Sequence, residues 1–188
     1  MAVSRPHVLG IDDGPFEKGQ PQNVPLVGVT MEGADLVEGV ATASFGVDAA
    51  GVTDFLCSWV RGLRGFGALQ AMTLGGITIA GLAVVDVSRL ARELGLPVLV
   101  VTRRDPRSSR LSEALRAAGL SDRVPLVAAA PPAQPLESGL FLAVAGTDGA
   151  TGDRLVRATL RKALLPEPLR LAHLIARAIV TGESRGRA

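Results

Sequence analysis

The chain has 188 residues, of which 47% are hydrophobic, and its mean hydropathy is +0.32. This composition suits one folded domain over residues 1–188 and excludes the disordered class. The net charge of +2 gives no indication of polyanion binding through charge alone. One cysteine, Cys57, excludes an internal disulfide and suits a reducing, cytoplasmic compartment. The N-terminus predicts no signal peptide.

Strand patterns come first along the chain. Apolar runs and turn residues predict strands at 7–12, 24–31 and 36–47, with a hairpin turn at 33–35. Apolar spacing predicts a helix over 53–63. A strand at 68–74, a helix at 82–94 and a strand at 97–101 follow. Residues 66–85 contain no charged side chain and are as long as a membrane-spanning helix. The Gly75-Gly76 pair divides this run, which favours a buried strand followed by a loop, and no membrane association.

The second half predicts a helix at 109–118, a proline-containing loop at 128–138, a late edge strand at 139–146, and helices at 149–164 and 167–180. Antiparallel strands followed by alternating strands and helices predict an α/β protein with a mixed sheet flanked by helices. In such sheets, ligands bind at the carboxyl ends of the strands.

Two carboxylates, Asp12 and Asp13, end the first predicted strand before Gly14-Pro15. One interpretation is turn chemistry, because Asp before Gly-Pro favours turns. The other is a metal or phosphate site, because paired carboxylates repel each other unless a cation or proton neutralises them. These residues alone leave both open, with the turn favoured. Asp48 ends a third strand in a similar way.

The last predicted helix carries two stripes of side chains. Leu171, Leu174, Ile175 and Ala178 form an apolar stripe, and Arg170, His173 and Arg177 form a polar stripe beside it. For an isolated helix, the polar stripe is a solvated face. If the helix packs across the strand ends, His173 faces Asp12 with two arginines available for phosphate. Imidazole and carboxylate would then suit a divalent metal.

A glycine-rich loop offers a rival phosphate site. The segment TLGGITIAG at 73–81 lies between a predicted strand and helix, where backbone N–H groups can bind phosphate. It contains Gly75 and Gly76 but matches neither GxGxxG nor the Walker A pattern, so it is a weak indication of nucleotide binding.

Several segments together resemble the endonuclease dU family across nearly the whole chain. They are LGIDDGPF, VPLVGVTM, GITIAGLAVVDV, LGLPVLVV and PEPLRLAHLIARAIVTGESRGRA. The resemblance implies a relative of endonuclease V with a ribonuclease H-like fold. It also implies an Mg²⁺- or Mn²⁺-dependent endonuclease of DNA repair, acting on DNA with deaminated bases such as deoxyuridine; RNA is a further possible partner. Asp12 matches the family's metal ligand, and His173 matches the helix position beside the metals.

The chain also departs from the family pattern. Gly75 stands where the resemblance implies an aspartate, and Gly51 where it implies an acid, whereas Asp48, Asp54 and Asp86 persist. We therefore expect an attenuated nuclease, with a non-catalytic nucleic-acid-binding relative as the alternative. The catalytic candidates are Asp12, Asp13 and His173; the metal ligands are Asp12, Asp48 and His173; the nucleic-acid contacts are Arg170, Arg177, Gly75 and Gly76.

Overall fold

The computed structural model describes residues 5–19, 22–103, 109–136 and 138–185. The strands are β1 (His7–Asp13), β2 (Asn23–Glu32), β3 (Leu36–Gly46), β4 (Ala71–Leu74), β5 (Thr78–Ile79), β6 (Ala83–Val84), β7 (Val98–Thr102), β8 (Gln134–Pro135) and β9 (Phe141–Ala145). The helices are α1 (Val52–Arg61), α2 (Val87–Leu94), α3 (Arg110–Ala117), α4 (Val124–Ala128), α5 (Gly149–Ala158) and α6 (Glu167–Thr181).

Seven of the described strands form one mixed sheet in the order β3-β2-β1-β4-β7-β9-β8, and β5 and β6 form a separate hairpin. β1, β2 and β3 are antiparallel neighbours, whereas β1, β4 and β7 are parallel. Gly33, with φ of 62°, turns the chain between β2 and β3. The predicted mixed sheet with antiparallel first strands is confirmed.

Helices cover the two faces of this sheet, and alternation along β1 assigns its side chains to them. Leu9 and Ile11 belong to the larger core cluster with residues of α1 and α2. Val8 belongs to a second cluster that includes Val156 of α5. Even-numbered β1 residues therefore share one face, which is also the face that α6 crosses.

Helix α6 lies against β1 and β2, but not through the predicted stripe. Its buried residues are Glu167, Pro168, Leu169, Ala172 and Ala176. Leu171 and Ile175 are only partly buried, against the cluster of β2 residues. The close approach explains the difference. A Cβ at Gly10 would lie 2.3 Å from the backbone N of Leu169, so the first turn of α6 lies directly on β1. Ala172 and Ala176 continue this close packing against β2.

Two predicted helices are shorter than expected, for local hydrogen-bonding reasons. α2 begins at Val87 because the Asp86 side chain accepts a hydrogen bond from the backbone N–H of Arg89 and caps the helix. The preceding Ala83–Val84 pairs with β5 instead. α5 ends at Ala158, followed by Thr159, whose hydroxyl donates to the carbonyl of Val156.

The last strand was wrongly predicted to be an edge strand. β9 pairs with β7 on one side and with β8 on the other. β8 comes from the segment that the prolines at 131, 132 and 135 predicted to be a loop. Pro135 is compatible with this position because an edge strand leaves one side of its backbone unpaired. No prediction covered α4.

Across the described ranges, no helix is long and apolar enough to cross a membrane. The uncharged run 66–85 contains a 3₁₀ turn (Phe66–Ala68), β4 and the β5–β6 hairpin. The predicted division of this run at Gly75-Gly76 is confirmed.

Candidate nucleic-acid and metal site

The carboxyl ends of the parallel strands open into a cleft of about 1950 Å³. Asp12 and Asp13 of β1 and Gly75 after β4 lie on its floor, and α6 forms one side with His173 and Arg177. β5 and the loop at 131–133 lie on the other side. The cleft therefore lies where ligands bind in sheets of this kind.

Asp12 and His173 meet at this floor, although 161 residues separate them in sequence. The Nδ1 atom of His173 lies 2.7 Å from Oδ2 of Asp12. This hydrogen bond raises the pKa of His173, and burial opposes the rise only in part. The predicted juxtaposition of these two side chains is confirmed. With Nδ1 bound to Asp12, Nε2 is the ring atom left for a ligand.

Asp13 turns to the other side of the strand, because successive side chains alternate. Its carboxylate accepts a hydrogen bond from the backbone N–H of Ala80. Burial and the adjacent charge of Asp12 raise the pKa of Asp13 from 3.8 to about 6. The two adjacent aspartates therefore have different environments, and Asp13 fastens the β5–β6 turn to the end of β1.

The structure does not bring Asp48 to Asp12 and His173. Its carboxylate accepts a hydrogen bond of 2.6 Å from the backbone N–H of Leu82. Arg123, which is 9% exposed, donates to the carbonyls of Asp48 and Leu82 at 2.6 and 2.8 Å. Asp48 and Ala80 also have positive φ values, 56° and 50°. Asp48 thus holds a strained turn behind the cleft wall, and sequence reasoning missed Arg123 altogether.

The other candidate acids have partners elsewhere. Asp54 of α1 pairs with Arg89, and Asp86 caps α2. Neither lines the cleft. Within the described ranges, no group of three or more His, Cys, Asp or Glu side chains has the geometry to hold a metal ion.

Gly75 occupies the position beside Asp12. Ile11 pairs with Leu74 in the parallel register of β1 and β4, so Gly75 extends that register opposite Asp12. Among the described residues, a Cβ there would meet only the Leu169 side chain, at 4.0 Å. A larger side chain would therefore fit at this point. Gly51, by contrast, lies outside the cleft at the start of α1, with φ of 78°.

Arginines surround the cleft, but they differ in what they already bind. Arg170 donates to Glu167, which is 5% exposed, and this bond raises the pKa of Arg170. Arg177 is exposed and has no ion pair with any described residue. Sequence reasoning missed Arg103, Arg110 and Arg185, which also line the cleft. Arg103 directly follows β7, so the strand-end rule that selected Asp12 would also have selected it.

Both the sequence and the fold of this chain are similar to those of known proteins. Residues 4–180 match the model of the endonuclease dU family. A UPF0215 protein of Thermococcus kodakarensis is 40% identical over 184 residues, covering 95% of this chain and 94% of that protein. A crystal structure of a protein of unknown function from Archaeoglobus fulgidus has a TM-score of 0.85 and 33% identity, covering 95% of this chain and all of the other.

More distant structures share the fold. Endonuclease V from Bacillus subtilis has a TM-score of 0.62 at 12% identity, covering 94% of this chain and 81% of that one. Endonuclease V from Ciona intestinalis, solved with a 24mer DNA containing an inosine followed by a ribo-adenosine, has a TM-score of 0.54 at 12% identity, covering 91% and 84%. The match over residues 4–180 makes this chain a member of the endonuclease dU family.

Proposed function

We propose that this protein binds nucleic acid in the cleft beside α6, with DNA containing deaminated bases such as deoxyuridine as its substrate class, and cleaves it weakly or not at all. The observation that carries the proposal is the Asp12–His173 pair on the floor of an arginine-lined cleft, beside a glycine at position 75. Family membership and the DNA-bound endonuclease V of the same fold support nucleic acid as the ligand.

Arg177 is the main phosphate-binding residue in this proposal. Its guanidinium is exposed and follows His173 by one turn of α6, so both can face one phosphate group. Arg170 contributes less, because Glu167 already occupies its donors. Gly75 and Gly76 lack side chains, which lets a phosphate approach the backbone of the cleft floor.

His173 supplies the proton chemistry of the site. Asp12 holds Nδ1 and favours the protonated ring, so Nε2 can donate a proton to a phosphate oxygen. An imidazolium also adds positive charge beside Arg177. Asp12 thus orients the His173 ring and favours its protonated form. Asp13 supports the cleft wall through its hydrogen bond with Ala80.

The residues present do not fit the Mg²⁺ or Mn²⁺ centre that the family implies. A metal-dependent hydrolase needs several oxygen ligands on one side of the substrate. Here Asp12 already binds His173, Asp13 binds Ala80, Asp48 binds Leu82, and Gly75 has no side-chain ligand. Metal-assisted hydrolysis therefore has no support from this donor set. This donor set favours attenuation and gives weight to the alternative, a non-catalytic nucleic-acid-binding relative.

The test measures binding by fluorescence anisotropy on duplexes with and without deoxyuridine, and on matched RNA, at several salt concentrations without divalent ions. Arg177→Ala should weaken DNA binding and lower the salt slope by up to about one unit. Arg64→Ala is the matched control, because Arg64 is also exposed but lies outside the cleft. Equal affinities and slopes for wild type and both variants would contradict the proposed interface.

A further inference from the structure

The far edge of the sheet carries a long strand with no neighbour on its outer side. β3 spans 11 residues and pairs only with β2 among the described elements. Such edges are usually protected by lysine, proline, a β-bulge or a covering segment. β3 contains neither lysine nor proline, and its bulge, at Glu38, lies before the regular pairing of residues 39–46 with β2. Its one charged residue, Glu38, is bound to Nδ1 of His7 at 2.6 Å.

The backbone of β3 directs hydrogen-bonding groups outward. The N–H of Val47 donates to the carbonyl of Gln22, on the β2 side. Because backbone groups alternate along a strand, the N–H and C=O groups of Val40, Thr42 and Ser44 point away from β2. These three residues form a continuous row that a further antiparallel strand can pair with.

The side chains around this edge are apolar. Leu36, Val37 and Val40 are 50%, 44% and 51% exposed. Val40 is paired with Val29, which packs against α6, so Val40 lies on the α6 side of the sheet. On α6, Ile179 is 53% exposed and continues the row of Leu171 and Ile175. We call Leu36, Val37, Val40 and Ile179 the β3 surface.

We propose that a second copy of this chain pairs with β3, antiparallel and about a two-fold axis perpendicular to the sheet. An antiparallel strand edge is self-complementary, which suits an isologous dimer. The β3 surface is uncharged, and Glu38, the one charged residue of β3, is bound to His7, so within the described residues this edge would neither repel a copy of itself nor attract nucleic acid or another polyanion. The two-fold axis also places both α6 helices on one side of a continuous sheet. Val40 of each copy would then be covered beside the new strand pair.

The test is the mass of the full chain in solution, measured by light scattering and sedimentation over a wide concentration range. Wild type should have twice the 19.4 kDa chain mass. Val40→Lys puts a charged side chain on the edge strand of each copy, a feature that blocks strand pairing in natural sheets, and should weaken the dimer by at least about tenfold. Thr42→Pro removes an outward N–H at a position where an edge strand accepts proline, and should have the same effect.

Leu164→Lys is the matched control, since Leu164 is 50% exposed but belongs to neither β3 nor α6. It should remain dimeric, and circular dichroism should show every variant folded. A monomeric wild type would overturn the proposal, as would a dimer that neither Val40→Lys nor Thr42→Pro weakens. A dimer weakened equally by Leu164→Lys would overturn the assignment to β3. The measurement needs no nucleic acid, so it stands apart from the proposed function.

Discussion

At the scale of single residues, Asp12 and Asp13 illustrate how one dipeptide can have two roles. They are adjacent in sequence, but strand alternation sends one carboxylate to His173 on α6 and the other to the N–H of Ala80. The turn interpretation describes Asp13 in part, because that side chain fastens a turn. Asp12 contacts His173 in the cleft, and its part in a ligand site stays a prediction.

Position 75 gives the sharpest prediction about cleavage. Gly75→Asp should place a carboxylate beside Asp12, with space available up to Leu169. Mn²⁺-dependent cleavage of deoxyuridine DNA should then rise at least about tenfold, because each held cation stabilises the reaction by several kcal/mol. Mn²⁺ should also raise the melting temperature of this variant more than that of wild type, because the ion binds the native state.

Gly75→Asn is the matched control, because it fills the same space without the charge. It should show neither the gain in cleavage nor the added metal stabilisation. Asp12→Ala in the Gly75→Asp background should remove both. Should wild type already cleave as fast as Gly75→Asp, with full dependence on Asp12, the attenuation proposal would be wrong.

The raised pKa of Asp13 predicts an unusual pH dependence of the free energy of unfolding. Its pKa is about 6 in the folded chain against an ordinary value of 3.8, so the folded state binds this proton more tightly than the unfolded state. The contribution of Asp13 to stability is therefore greatest below pH 4 and falls as pH rises to about 6. Asp13→Asn removes this loss, so its stability relative to wild type should rise by about 1–3 kcal/mol between pH 4 and 7.

The measurement is urea unfolding of both proteins in EDTA at closely spaced pH values. Asparagine keeps an acceptor for the N–H of Ala80, which isolates the effect of ionisation. Parallel stability curves for the two proteins across pH 4–7 would show that burial does not penalise the Asp13 charge.

At the scale of secondary-structure elements, the contact between α6 and β1 determines whether the site exists. The helix crosses the strand so closely that a Cβ at Gly10 would lie 2.3 Å from the backbone at Pro168 and Leu169. Backbone atoms cannot move aside as a flexible side chain can. The glycine at position 10 therefore sets the distance at which His173 meets Asp12.

Gly10→Ala should displace α6 and destabilise the fold by about 1–3 kcal/mol or more. It should also lower the pKa of His173 toward its ordinary value, because the hydrogen bond to Asp12 would lengthen. Denaturant unfolding and an NMR titration of the imidazole measure the two effects. Gly67→Ala is the control, since nothing lies within 4 Å of a Cβ there. A variant with wild-type stability and an unchanged His173 titration would contradict this account of the helix contact.

The turn at Ala80 shows a second element-scale arrangement. Asp13, Asp48 and Arg123 come from distant parts of the chain and all bind residues 80–82 or the loop beside them. Ala80 has positive φ, which costs free energy unless surrounding contacts compensate. These contacts stabilise the wall of the cleft, and this role accounts for a carboxylate at position 48 without a metal.

At the scale of the whole molecule, the charge distribution matters more than the net charge of +2. Many arginines are bound to carboxylates, as Arg89 is to Asp54 and Glu93. Arg177 is exposed beside His173 without such a partner in the described ranges. A nearly neutral chain can therefore present a positive cleft, and composition cannot reveal it.

The sequence by itself determined the order and type of most elements. Apolar alternation and turn residues identified β1, β2, β3, β4 and β7, because these patterns reflect local backbone geometry and burial on a sheet. Long, ordered motifs identified the family. The same sequence rules placed Asp12 at a strand end and His173 on the last helix, and the hypothesis of α6 across the strand ends brought them together.

Only the tertiary structure decided which polar side chains share a site. Asp13, Asp48 and Asp86 resemble Asp12 in sequence, because each closes or follows an apolar segment, yet they bind Ala80, Leu82 and Arg89. The inward side of α6 was also undetermined, because Ala172 and Ala176 are weakly hydrophobic and are buried only because α6 packs on β2, against Val27, Val29 and Met31. Both outcomes depend on distances between segments far apart in the chain, and local periodicity contains no information about such distances.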